Sequence, residues 1–223
     1  MVRGSLPFLN AMLLTAMLAG CVDAPQPTRH APSRTMLGSV AQSPNAQACL
    51  ANLGRTQANF TPLPDQYFGA GCSTLNTVKL AYLRSDYSQL QLTNMGPVTC
   101  TVANTLSGWA RFGVDRAARQ ILGSPLKRIE TMGSYSCRNV AGTDRRSAHA
   151  TASAVDVAGF TLEDGRRINV LRDWNGDDMQ VRAFLRTVRD SACKRFGTVL
   201  GPDYNFAHHD HFHVEMGGNA FCR

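Results

Sequence analysis

Six cysteines, Cys49, Cys72, Cys100, Cys137, Cys193 and Cys222, are spread over everything beyond residue 48, and a seventh, Cys21, stands apart near the start. An even set at wide spacing, with no Cys-x-x-Cys, argues for three disulfides formed in an oxidising compartment. It argues against a zinc ribbon or a thioredoxin-like redox site. Three cross-links would tie the chain into one unit. The simplest expectation pairs neighbours in order: Cys49–Cys72, Cys100–Cys137 and Cys193–Cys222.

The N-terminus agrees with export. Residues 1–21 read MVRGSLPFLNAMLLTAMLAGC: a basic residue, Arg3, an apolar run from Leu6 to Ala19, then small residues. That is the grammar of a secretory signal, and the run is short for a membrane-spanning helix. Leu18-Ala19-Gly20-Cys21 resembles a bacterial lipobox. The resemblance implies cleavage after residue 20 and lipidation of Cys21, hence a membrane-anchored protein facing the periplasm. Val22, where an aspartate would signal inner-membrane retention, points to the outer membrane. Residues 21–46 then form a proline-, serine- and glutamine-rich tether, expected to be mostly disordered.

The formal charge is +7, one unit of which is Arg3 in the leader. The basic residues form no block and do not alternate with aromatics, so nucleic acid is excluded as a partner. A spread basic excess suits an anionic polymer of the cell envelope.

Residues 47–223 are expected to fold as one domain. Val78, Leu80 and Tyr82 alternate, and LQL follows at 90–92, so strands are predicted there. Val102, Leu106, Trp109, Ala110, Ala117 and Ile121 recur at helical spacing, with Gly113 as a break or kink. RIETMGSYSCR predicts a strand ending near Cys137, and SAVDVAGF a short strand over 153–160. Asp164-Gly165 marks a hairpin. Asp177 and Asp178 open an amphipathic helix whose stripe is Val181, Phe184, Leu185, Val188 and Ala192, with Gly197 ending it. Strands and helices mix without a βαβ rhythm, which indicates an α+β fold.

Four of the six histidines fall within 208–213, HHDHFH. In the terminal HFHVEM, period-two alternation puts His211, His213 and Glu215 on one strand face and Phe212, Val214 and Met216 on the other. The apolar set suits a core and the polar set a cleft. Upstream, His149 enters a strand that carries Asp156 among Ala154, Val155, Val157 and Ala158. A carboxylate in so apolar a run is expensive to bury unless it is paired or binds a cation. Imidazoles and a carboxylate are good zinc ligands.

Ser147-x-His149 followed by Ala154-x-Asp156 resembles the SxHxxGxAxD motif of D-Ala-D-Ala dipeptidases and carboxypeptidases. The stretches SAHATASAVDVAGF, HHDHFHVEM, CTVANTLSGWA and GSYSCRN more closely resemble the bacterial extensin-like C-terminal domain family. The tail is also similar to penicillin-insensitive murein endopeptidases, whose three histidines are spaced as His208, His211 and His213 are. These resemblances imply a hedgehog/D-Ala-D-Ala peptidase-like α+β domain, a small antiparallel sheet flanked by helices. They imply Zn²⁺ held by His149, Asp156 and His213, with the fourth position left for water.

His211 or Asp210 would be the general base. Arg138 would polarise the scissile carbonyl, His208 would orient substrate, and Ser147 would support the site by hydrogen bonding. The implied activity is hydrolysis of amide bonds in peptidoglycan stem peptides or cross-links. The alternative is an envelope protein that binds zinc or peptidoglycan without turnover. Ala152 stands where the motif has glycine, and would perturb the loop if that position needs a positive φ.

Overall fold

Residues 43–217 and 220–223 are described by a computed structural model. The stretch read as a signal segment, Cys21 read as its lipidation site, and the part of the expected tether up to residue 42 lie outside the described residues. Helix α1 (Pro44–Arg55) starts three residues inside the stretch read as tether, with Ser43 Oγ accepting from the Ala46 N–H as its cap.

Strands β1 (Asn59–Pro62), β2 (Gln66–Gly69), β3 (Cys72–Thr74), β4 (Thr77–Arg84), β5 (Gln89–Thr93) and β6 (Val98–Thr99) follow. Helix α2 (Cys100–Gly108) continues through a π-helical segment, Trp109–Asp115, into α3 (Arg116–Leu122). The helix therefore widens around Gly113 where a kink was expected. A Cβ at Gly113 would run into Ser191 of a later helix, so close packing requires the glycine. After α3 the chain turns on Gly123, with φ 71°, into β7 (Leu126–Gly133). The buried Asp115 carboxylate closes this turn, accepting from the Leu126 N–H at 2.9 Å and Arg119 Nε at 2.9 Å.

A 3₁₀ turn, Ala148–Thr151, leads into β8 (Ala154–Leu162) and β9 (Arg167–Asn169), the hairpin that Asp164-Gly165 predicts. Then come α4 (Val170–Asp173), α5 (Met179–Cys193), β10 (Thr198–Leu200), a second 3₁₀ turn at Phe206–His208, β11 (Phe212–Glu215) and β12 (Phe221–Cys222). Asp178 caps α5, accepting from Gln180 and Val181 N–H groups. α5 stops at Cys193; Gly197 serves the next turn, donating its N–H to the Glu215 carbonyl.

The sheet is large where a small one was expected. Ten strands join in the order β1-β4-β5-β7-β8-β11-β10-β12, with β6 on β4 and β9 on β8. It is also mixed: β5–β7 and β10–β12 run parallel, the other pairs antiparallel. Many of the added strands are two to four residues long, too short to show alternation in the sequence. One face is packed by the helices. Trp109 donates its indole N–H to the Val188 carbonyl at 2.9 Å and lies edge-on to Phe160 and Phe196. Phe160 in turn meets Phe184 of α5. The other face is polar around Gln91, Arg128 and Glu130.

The disulfide pairing differs from the sequential one in two of three bridges. Cys49 pairs with Cys100, because α1 packs on the start of α2, and Cys72 pairs with Cys137, because the β2–β3 hairpin lies over the loop that follows β7. Cys193–Cys222 is as expected and ties α5 to the terminal strand. Each bridge closes 29 to 65 residues of chain, about 4 kcal/mol apiece on a chain-entropy model.

Strand β7 ends at Gly133, short of Cys137. Residues 134–136 leave the sheet and turn their backbone to His149: the Ser136 N–H donates to the His149 carbonyl at 3.1 Å.

One irregularity of β8 sets up the site. Asp156 and Phe160 have the same parity in sequence, yet Phe160 lies in the core and Asp156 on the open face. The β7–β8 register explains it: Glu130 pairs with Gly159 but Thr131 with Val157, so Ala158 is an extra, bulged residue. The bulge reverses the inward set from Phe160 and Leu162 to Val157 and Val155.

Candidate metal centre

β11 lies antiparallel on β8 with His213 opposite Asp156. Phe212 and Val214 enter the core as alternation predicts, leaving His213 on the face that carries Asp156. The third member comes from the 3₁₀ turn, where Ser147 Oγ accepts the His149 N–H as an N-cap. His149 Nε2 lies 3.1 Å from His213 Nδ1 and 3.2 Å from the Asp156 carboxylate; His213 Nδ1 lies 2.9 Å from Asp156 Oδ1. These three residues form a group able to hold a metal ion.

Their outer partners decide which ring atoms carry protons. His149 Nδ1 is 2.8 Å from the Ser134 carbonyl, which can only accept, so Nδ1 carries hydrogen. His213 Nε2 is 3.0 Å from the Glu215 carboxylate, so it too carries hydrogen. Each neutral ring then turns a lone pair inward, and the two lone pairs meet a carboxylate at about 3 Å. Such an arrangement repels itself unless a cation or a proton sits among the donors. Bonds of about 2.0–2.1 Å at tetrahedral angles place neighbouring donors about 3.3 Å apart, close to the spacing found. The residues therefore fit a small four-coordinate cation, and Ser134 and Glu215 fix its histidine ligands in place.

Without a cation the proton takes its place. Burial opposes charge on His213, but hydrogen bonds to Asp156 and Glu215 outweigh it and push the imidazole up to about 9. Burial likewise works against the Asp156 carboxylate, yet His149 and His213 hold it well below the usual carboxylate range.

Four further predicted residues surround this centre. His211 is buried, with Nδ1 2.7 Å from Asp210 Oδ1 and Nε2 3.5 Å from Asp156 Oδ1. Asp210 and His211 thus form a pair, with the carboxylate behind the ring and Nε2 turned to the centre. His208 Nδ1 is 2.7 Å from Asn205 Oδ1, and its ring lies 5.2 Å from that of His211. Burial, then the neighbouring His211 and His213, lower His208 to about 4. Arg138 is exposed and lines the same cleft, and its backbone carbonyl accepts the Ser147 N–H. His209 turns away, stacked on Phe206 with centroids 4.5 Å apart.

The cleft has a volume of about 650 Å³, and its walls include His208, His211, His213 and Glu215. Sequence reasoning did not find Ser134, Asn205, Arg145 or Arg146 here. Glu215 was placed on the correct face without a role; its position two residues beyond His213 was the available signal.

A family model described as extensin-like protein C-terminus matches residues 47–223. The chain belongs to that family. No curated protein and no solved structure matches it. The span shared with the extensin-like C-terminus holds all three disulfides, the three donors and the cleft. Ala152 also lies within it, and its φ is 54°, the left-handed region in which glycine is usual. The turn nonetheless closes: the Ala152 N–H reaches the His149 carbonyl at 3.1 Å and its own carbonyl accepts from Thr99 at 2.9 Å. The alanine strains the loop and leaves the three donors together.

Proposed function

We propose that this protein is a zinc-dependent amidase of the cell envelope that hydrolyses amide bonds in peptidoglycan stem peptides or cross-links. The observation that carries this reading is the Asp210–His211 pair facing a three-donor centre, with His211 and the donor His213 both lining an open cleft. His149, Asp156 and His213 would hold Zn²⁺, a choice favoured by two imidazoles and one carboxylate. Bound there, the ion supplies Lewis acidity towards the attacking water and the scissile carbonyl. His211 Nε2 accepts the proton of the water and returns it to the leaving amine. Asp210 holds the His211 ring by its Nδ1–H and stabilises the charge that develops on it. Arg138 offers a cation to the developing oxyanion. His208, neutral and tied to Asn205 through Nδ1, keeps Nε2 as an acceptor for a substrate N–H.

The motif spacing supports an assignment to the hedgehog/D-Ala-D-Ala peptidase architecture with an enlarged sheet. The leader and the three disulfides support a lipid anchor at Cys21 and a periplasm-facing location at the outer membrane. The test is incubation of the zinc-loaded full chain with purified peptidoglycan, with mass spectrometry of what is released. Peptide fragments that disappear with EDTA are expected. Absence of any such product from several peptidoglycan types overturns the reading, and binding without products makes the chain a peptidoglycan-binding protein instead.

A further inference from the structure

Arg138, Arg145 and Arg146 all line the cleft, against a single lining carboxylate, Glu215, which is engaged by His213. None of the three arginines forms an ion pair among the described residues, so no described carboxylate lies within ion-pair distance of these charges.

The arginines sit on a built element. Residues 138–147 double back on themselves: the Val140 N–H reaches the Arg145 carbonyl at 2.8 Å, Asn139 bridges Arg146, and the Ser147 N–H reaches the Arg138 carbonyl at 3.1 Å. The Cys72–Cys137 bridge fastens the base of this loop to β3. Arg146 Nε donates to the Ala70 carbonyl and Nη1 to Asn139 Oδ1, so its guanidinium is held in place with Nη2 uncommitted among the described residues. Arg145 is exposed, and its charge is felt at Glu215 on the cleft wall. A fixed guanidinium suits a planar anion and gains charge-assisted hydrogen bonds from it, and Arg145 adds a second positive charge to the same cleft wall.

We infer that the cleft selects acidic peptides: Arg145 and Arg146 grip a free carboxylate of the substrate while its scissile amide lies at the metal centre. This rests on the peptidase reading and names its substrate class. Arg145 and Arg146 are specificity determinants, separate from the chemistry of His211.

Calorimetric titration of the zinc-loaded full chain tests it. The probes are N-acetyl-L-alanyl-γ-D-glutamyl-L-lysyl-D-alanyl-D-alanine and the same peptide with both carboxylates as carboxamides. The acid form is expected to bind about tenfold more tightly or better. R145Q and R146Q should each weaken the acid form about tenfold and leave the carboxamide form unchanged, which also certifies their folding. Equal affinity for the two forms overturns the inference while leaving the peptidase reading intact. A preference that survives both substitutions assigns the carboxylate to the metal instead and also overturns it. Failure of both peptides to bind removes the peptidase reading and the inference with it.

Discussion

Asp210 and His211 are neighbours in sequence that act on opposite sides of one imidazole: the carboxylate lies 2.7 Å from Nδ1, while Nε2 looks towards Asp156 at 3.5 Å. The two residues that compete in the sequence for the role of base are therefore parts of one device. Asp210→Asn should keep zinc at wild-type stoichiometry and lower kcat by about 10²-fold or more, with KM little changed, as loss of orientation and charge support would. His211→Ala should lose about 10²–10⁴-fold. Steady-state kinetics with metal analysis checks both; a D210N enzyme of normal rate would leave His211 unsupported by its neighbour.

The three donors should act as one site. His149→Ala, Asp156→Ala and His213→Ala should each abolish stoichiometric zinc in dialysed protein, whereas His209→Ala should retain it. Saturating zinc at about 100 times Kd should stabilise the fold by about 2.7 kcal/mol, seen as a melting temperature that falls on EDTA treatment. Zinc bound equally well by the D156A chain would place the metal elsewhere in the histidine cluster.

For the metal-free protein, pH and stability are linked through His213. Its folded value is raised to about 9 from 6.5, so its contribution is complete below pH 6.5 and is lost as pH rises through 9. The shift corresponds to a loss on the order of 3 kcal/mol. His208 acts oppositely: lowered to about 4, it costs stability as pH falls below 6.5. Thermal melts of EDTA-treated protein should peak near pH 6.5, and H213A should flatten the alkaline limb. A metal-loaded sample should show no such limb, since a bound cation replaces the proton.

Peptide mapping under non-reducing conditions should recover Cys49 with Cys100 and Cys72 with Cys137. Replacing Cys72 and Cys137 together by serine should cost about 4 kcal/mol and lower activity beyond the loss of stability, because that bridge fastens the loop bearing Arg138. Activity unchanged at a temperature where the variant is folded would separate Arg138 from the chemistry.

How far the sequence revealed this depends on the range of each signal. The α5 stripe and the alternation of HFHVEM are local and periodic, and both carry directly into the structure. His149 and Asp156 were found through motif spacing, and the structure brings them to His213. The pairing of Cys49 with Cys100 was hidden, because it depends on which helix packs beside which. The sheet was underestimated because β6, β10 and β12 are too short to alternate visibly. Arg145 and Arg146 carried no periodic or motif signal; only the folded-back loop places them in the cleft. Ala152 was legible in part: the demand for positive φ was anticipated, and the structure meets it with a strained alanine at φ 54°.

The bulge at Ala158 makes the centre depend on how the sheet absorbs one residue of β8. Glu130 pairs with Gly159 and Thr131 with Val157, so a strand lacking Ala158 would keep Phe160 and Val157 inward and Asp156 on the open face. Pairing Ala158 regularly, with no residue removed, is what would turn Asp156 towards Trp109 and the helices and away from His213. A register slip that changes no side chain would thus be more damaging to the site than the loss of a residue, and an alignment gap at 158 is compatible with an intact donor at 156.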